Sequence, residues 1–207
     1  MILIDKSKIK QTLNVPKRVR QAYFNDVIKF HPNRLRIQFT AFNDVDKNQI
    51  ASYNKLFKSA FYFDLAEYLR YWSAPQHLIT GYIDKHLVTA YFAVTKQAKL
   101  NDQIINIAGL GGLVCSPYLR SRGFASKLIT YSWPGIVAQH QADVSLLICN
   151  DMNVGFYEGF GWQHFDGSLS YEKTEKSESS RFNVLVQKHS KFVEPCYGKI
   201  HIDGPLW

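Results

Sequence analysis

The sequence predicts an α/β chain, and three stretches carry that expectation. Gly109–Ile129, GLGGLVCSPYLRSRGFASKLI, passes from an apolar run with paired glycines through a short basic turn into helical spacing. Between His77 and Cys115, strand-like runs follow one another across short polar turns. Between Val144 and Trp162 an apolar strand again leads into a short helix.

Taken in order, residues 1–14 carry no firm pattern, and Pro16–Phe30 places Val19, Tyr23 and Val27 on one helical face. His31-Pro32-Asn33 ends that helix. The chain therefore divides into an N-terminal, helical extension over 1–33 and a domain over 34–207. Arg34–Phe42 alternates Leu35, Ile37 and Phe39 with polar residues, as a half-exposed strand does. Asn43–Asp46 has helix-start chemistry, and Lys47–Phe61 and Phe63–Trp72 follow as two helices dense in aromatic side chains. His77–Ile83, a turn at Asp84-Lys85, and Leu87–Thr95 make a hairpin. A polar connection over Lys96–Asp102 leads to the strand Gln103–Cys115. Phe124–Gln141 is the longest helix, which Trp133-Pro134-Gly135 is expected to kink or break. Val144–Cys149 is a strand, Met152–Phe160 a helix, and Gln163–Phe165 begins another strand. Ser170–Arg181 reads as an exposed loop, and Phe182–Gln187 as the last clear strand.

Composition narrows the class. With 207 residues, 46% hydrophobic and 20% charged, the chain reads as an ordinary globular protein that needs no staples. Cys115, Cys149 and Cys196 are odd in number and lack metal-like spacing, so no metal site is expected and a reducing, cytoplasmic setting is. No stretch resembles a signal peptide or a membrane helix, so no membrane partner is expected. The net charge of +8 is spread over the chain without stacking aromatics or a known module, which argues against nucleic acid and for a solvated basic face.

The turn after Cys115 asks for an anion. Ser116-Pro117 stops the strand, and Arg120-Ser121-Arg122-Gly123 then opens a helix, so backbone N–H groups and a helix dipole converge. Gly123 is followed by Phe124 rather than Lys, so the Walker A pattern fails. Gly109 and Gly111 precede Val114 and lie within the strand, so the Rossmann fingerprint fails as well. What remains, Arg120-x-x-Gly123-x-Ala125, resembles the acyl-CoA pyrophosphate loop of the GCN5-related N-acetyltransferase (GNAT) superfamily. A second match follows in NDMNVGFYEGFGW, where Asn150, Tyr157, Glu158, Gly161 and Trp162 fall in that superfamily's places.

The resemblance implies a mixed central sheet with helices on both faces and a V-shaped splay between two parallel strands. It implies acetyl-CoA as cofactor and a small-molecule primary amine as partner, attacked by direct transfer; a homodimer is allowed for. The backbone of Arg120, Ser121, Arg122, Gly123, Phe124 and Ala125 would hold the pyrophosphate. That of Leu113, Val114 and Cys115 would pair with the pantetheine arm, and a backbone amide there would polarise the thioester. Asn150 either bonds the pantetheine or finishes its strand. Tyr157, a phenol of pKa near ~10, suits protonation of the leaving thiolate. For amine deprotonation no Asp or Glu stands in Gln103–Cys115; Asn106 could only hold a water, and Asp84, His86, His201, Asp203 and the terminal carboxylate are the alternatives. The ending Gly204-Pro205-Leu206-Trp207 is similar to aminoglycoside 2′-N-acetyltransferases, whose tail folds into the acceptor site, which makes Trp207 and Asp203 substrate-binding candidates. Pro205 stands where those enzymes often carry an aspartate, and a basic chain suits a polycation poorly. A longer acyl chain and a non-catalytic acyl-CoA-binding module are the alternative readings.

Overall fold

The computed structural model describes residues 31–61, 64–172, 182–189 and 197–207. The helix expected over Pro16–Phe30, and Cys196, lie outside the described residues. After a 3-10 turn at Pro32–Arg34, the elements are β1 (Arg36–Ala41), α1 (Lys47–Phe61), α2 (Leu65–Tyr71), β2 (His77–Ile83), β3 (His86–Leu100) and β4 (Gln103–Cys115). Then come α3 (Phe124–Gln139), β5 (Val144–Cys149), α4 (Asp151–Glu158), β6 (Gln163–His164), β7 (Asp166–Tyr171), β8 (Asn183–Lys188) and β9 (Tyr197–Ile202).

The strands form one mixed sheet in the order β1-β2-β3-β4-β5-β8-β6. Strand β9 joins the far end of β3 and pairs in parallel with β7, while β4 and β5 form the other parallel pair. Helices cover both faces. Neighbouring residues of β3 point to opposite sides: Phe92 packs on Tyr53 of α1 at 4.7 Å between ring centroids, and Tyr91 on Trp133 of α3 at 5.8 Å.

Local chemistry sets the helix starts. Asp46 Oδ1 accepts from the backbone N–H of Asn48 and Gln49, and Gln49 Oε1 accepts from the N–H of Asp46, a reciprocal cap for α1. Asp64 caps α2 by accepting from the N–H of Glu67 at 2.8 Å.

Four expectations are corrected. Strand β3 does not stop at Thr95: Ala98 and Leu100 are buried and alternate with exposed Gln97 and Lys99, so the polar residues are one face of a continuing strand. Ser170 and Tyr171 belong to β7, not to a loop, and β9 is a further strand after β8. Phe39 is exposed rather than inward, because β1 is the edge of the sheet. Helix α3 runs unbroken through Pro134. Trp133 and Ile136 anchor its buried face, with Trp133 Nε1 donating to Ser145 Oγ at 2.9 Å. Pro134 and Gly135 face solvent, so the rung that proline removes lies on the side where water satisfies the carbonyl.

Candidate active site

The turn between β4 and α3 is built as an anion cradle. Pro117–Leu119 forms a 3-10 turn, Ser121 takes a positive φ of 57°, and Gly123 takes 81° as the N-cap of α3. A side chain at Gly123 would be strained at that angle. Among the described residues no side chain caps the helix, so its first N–H groups open toward the turn. Arg120 Nε reaches back to the carbonyl of Cys115 at 3.4 Å, curling the turn over the end of β4. A cavity of about 390 Å³ lies here, walled by Arg120, Ser121, Gly123, Phe124 and Ala125 on one side and Leu113, Asn153 and Tyr157 on the other.

The cavity continues into a gap in the sheet. Strands β4 and β5 pair only from Ile107–Gly109 to Val144–Leu146, yet β4 runs on to Cys115 and β5 to Cys149. Beyond Gly109 the two diverge, which leaves the β5-facing backbone edge of Leu110–Cys115 without a strand partner among the described residues. A bulge at Gly112, φ 60°, bends β4 away. Tyr53 from α1 fixes the bulge by donating its hydroxyl to the Gly112 carbonyl at 2.8 Å. A Cβ at Gly112 would stand 2.7 Å from that hydroxyl.

Tyr157 sits on α4 at the mouth of this gap. It is buried, and Trp162 packs against it edge-on at 6.3 Å. Gly161, φ 83°, turns the chain after α4 so that Trp162 can reach back, its N–H meeting the Tyr157 carbonyl at 3.4 Å. Burial first, and then the Cys149 thiol, push the Tyr157 hydroxyl well above the ordinary phenol range, so it holds its proton at neutral pH. Burial likewise pushes the Cys115 and Cys149 thiols up to about 11, against the opposing Arg120 charge in the first case and reinforced by Asp151 in the second. Both are free thiols rather than thiolates near neutrality.

A second cavity, of about 370 Å³, adjoins the first at Leu113, Asn153 and Tyr157. Its walls include Phe61, Tyr68 and Trp72 from the α1–α2 region, Asn150 and Cys149 at the end of β5, and Trp207. The two cavities therefore form a track from the Gly123 turn past Tyr157 to Trp207.

Of the residues singled out in the sequence, Leu113, Cys115, Arg120, Ser121, Gly123 and Phe124 meet in the first cavity, with Ala125 beside them. Asn150 and Trp207 stand in the second, and Tyr157 in both. Val114 turns its side chain into the apolar cluster under α1, and its carbonyl accepts from Thr89 Oγ1. Arg122 is on neither wall. Asp203 is not brought to the site: its carboxylate is 82% exposed and pairs with His201 Nε2 at 3.2 Å. Asp84 and His86 are exposed at the β2–β3 turn, and Asn106 lines a separate cavity beside His140. Asn153, Phe156, Ile148 and Phe182 also line the site and were not singled out. Asn153 stands at i−4 from Tyr157 and i−3 from Phe156, a helical spacing the sequence does carry.

Comparison with known proteins bears on the family and the fold. The family model described as "Acetyltransferase (GNAT) domain" matches residues 30–165. No curated protein matches the chain. Among solved structures, the chain is similar to Escherichia coli ElaA with a TM-score of 0.54 at 15% identity, covering 74% of this chain and 99% of that one. It is similar to an acyl-CoA N-acyltransferase from Pseudomonas aeruginosa with a TM-score of 0.52 at 11% identity, covering 74% and 99%. A chain of the NatC complex bound to Gag peptide and CoA gives a TM-score of 0.55 at 14% identity, covering 75% and 99%. At these identities the neighbours speak to the fold, while the family model spans well over half of the chain: the protein belongs to the GNAT family of acyltransferases.

Proposed function

We propose that the protein is an acetyl-CoA-dependent N-acetyltransferase that moves an acetyl group to a primary amine of a small molecule by direct attack. The observation that carries the reading is the continuous track from the Gly123 turn, through the β4–β5 splay, to Tyr157. A coenzyme A thioester supplies an activated acyl group, and a solved neighbour of the same fold is described with CoA bound.

Each part of the track has a task. The N–H groups of residues 120–125 hold the pyrophosphate at the positive end of α3. The open edge of Leu113–Cys115 offers backbone groups to the pantetheine amides, and an N–H there polarises the thioester carbonyl. Tyr157 carries the proton that the departing sulfur needs. Cys115 and Cys149, held as thiols, are poor acyl carriers, which favours direct attack over a cysteine-bound acyl group. The same free cysteines suit a reducing cytoplasm.

A second reading, an acyl-CoA-binding module without catalysis, is favoured by the lack of any carboxylate on β4. Release of free thiol from acetyl-CoA over an amine panel separates the two, silence with intact coenzyme binding supporting the module. Titration calorimetry with coenzyme A tests the cradle: Gly123→Val is expected to abolish binding, and normal binding by that variant would show the loop to be misassigned.

A further inference from the structure

Tyr53 on α1 is wholly buried, its ring packed on Phe57 and Phe92 at 5.6 and 4.7 Å between centroids. Its hydroxyl reaches past that cluster to the carbonyl of Gly112 at 2.8 Å. Burial first, and then Tyr68, push the phenol well above its ordinary range, so it keeps its proton and donates. What it holds is the bulge of β4. The β3–β4 register passes from Ala90–Val114 to Phe92–Gly111, so Tyr91 alone opposes both Gly112 and Leu113. Gly112, at φ 60°, has its carbonyl turned out of the sheet toward α1.

The other end of the same peptide unit is the N–H of Leu113. A trans peptide is planar, and its C=O and N–H point opposite ways. With the carbonyl drawn toward α1, the Leu113 N–H is aimed at the opposite face of the sheet, the one that α3 covers. The first cavity opens on that face: Phe124 and Ala125 begin α3, and Leu113 and Tyr157 share the walls with them. Val114 and Cys115 resume the register opposite Ala90 and Thr89, so their N–H groups stay in the plane of the strands. Of the three residues on this edge, Leu113 is the one whose N–H leaves the ladder.

We infer that Tyr53 is a positioning residue for acyl transfer: by holding the Gly112 carbonyl, it aims the Leu113 N–H at the thioester carbonyl. The inference rests on the N-acetyl-transfer reading and names both the donor that polarises the thioester and the side chain that fixes that donor. As the amine nitrogen forms the C–N bond, the carbonyl π pair moves to oxygen, and the N–H is already in place for the charge gathering there. The pair returns as the C–S bond breaks with its electrons passing to sulfur, and sulfur takes the phenolic proton of Tyr157. The surplus proton on nitrogen leaves to solvent, from which Tyr157 is reprotonated. A hydrogen bond to the carbonyl also polarises the peptide unit and strengthens its N–H as a donor. Without the phenol, Gly112 is free to let the unit turn, and the donor would have to be ordered during the reaction.

The test uses the full chain and reads the carbonyl stretch of acetyl-CoA, isotope-labelled at the thioester carbonyl, by difference infrared spectroscopy with no amine present. Binding to the parent is expected to lower that frequency relative to the compound free in solution, and Tyr53→Phe is expected to lose most of the shift. The variant keeps the ring and its packing and removes only the hydroxyl. With the fastest amine of the panel, its kcat is expected to fall about tenfold, less than outright removal of an oxyanion donor costs. Calorimetric affinity for coenzyme A, which has no thioester carbonyl, is expected to stay within about twofold. Tyr91→Phe is the control: it removes a buried phenol across the bulge whose hydroxyl meets Ser132 Oγ at 2.7 Å, and band and kcat are both expected to stay. Equal losses of kcat in the two variants, with the band unmoved, would make Tyr53 an ordinary core residue and overturn the inference. Should Tyr53→Phe fail to fold, Tyr53→3-fluorotyrosine, a more acidic donor of nearly the same shape, is expected to lower the band further, and an unmoved band overturns the inference. Thiol release by the parent, with the same band in parent and Tyr53→Phe, removes the role of Tyr53 and leaves acyl transfer standing. A band shifted in the parent and relaxed in Tyr53→Phe, with no thiol released to any amine, supports the aimed N–H and overturns the transfer reading.

Discussion

Tyr157 is where burial and proposed chemistry meet. A phenol whose pKa is raised by burial keeps its proton at neutral pH, so the proton is in place when a thiolate departs, while the same rise weakens it as an acid. Tyr157→Phe keeps the ring that packs on Trp162 and removes only the proton. It is expected to lower kcat by about 10²- to 10⁴-fold while coenzyme A affinity, measured by calorimetry, stays near that of the parent. Turnover equal to the parent would remove the acid role. Gly112 shows a different kind of residue dependence. Its positive φ and the 2.7 Å approach of the Tyr53 hydroxyl leave no room for a side chain. Gly112→Ala is expected to cost about 1–3 kcal/mol in urea unfolding, from backbone strain together with displacement of the Tyr53 bond. The motif residues were legible because each has a local reason written into it: Gly123 and Gly161 both need positive φ, and both stand at the positions the motifs give them. Asp203 misled because only the folded tail shows its carboxylate turned to solvent while its carbonyl meets Lys96.

Elements were legible where periodicity is local. Strands β2, β4 and β5 stand at the bounds the alternation predicts, and α1 likewise. Strand β9 was missed because its support is remote: Lys99 and Leu100 pair with His201 and Ile200, and β7 pairs along its whole length. The sequence GKIHID shows only Ile200 and Ile202 as inward residues, too few to mark a strand without its partners. The site walls have the same origin, since Ile148, Phe182 and Trp207 come to one cavity only after the sheet has formed. Helix α3 makes the converse point, for local propensity argued for a break and packing overrode it. That override leaves stability to recover. A Cβ on Gly135 would meet nothing within 4 Å, and both Gly135 and Pro134 are exposed. Gly135→Ala is expected to add about 0.5–1 kcal/mol and Pro134→Ala up to about 3 kcal/mol to the free energy of urea unfolding, with coenzyme binding unaltered. A loss of stability in Pro134→Ala would mean that the proline is needed where it stands.

At the scale of the whole domain over residues 35–207, contacts join the sheet to the helices that cover it, and one of these should respond to pH. His77 opens β2 and His140 follows the end of α3, with their Nε2 atoms 2.8 Å apart, so the pair joins the sheet to the helix that covers it. At that distance one ring must donate and the other accept, which requires at least one neutral imidazole. Burial first, and then the charge of His140, lower the pKa of His77. A histidine with a depressed folded pKa binds fewer protons folded than unfolded. Its contribution is therefore complete above the unfolded value, about 6.5, and is lost as pH falls through that value toward the folded one. The melting temperature is expected to hold from pH 8 to about 7 and then to fall toward pH 5, ahead of the range in which carboxylates titrate. His77→Gln removes the titrating group and keeps a polar side chain at the same place. Calorimetric scans of that variant are expected to show a lower melting temperature at pH 7.5 and a flatter dependence between pH 7 and 5. Parallel profiles for variant and parent would assign the acid sensitivity elsewhere, with His189 next in line because burial depresses its pKa as well, in a hydrogen-bonded chain from Trp133 through Ser145.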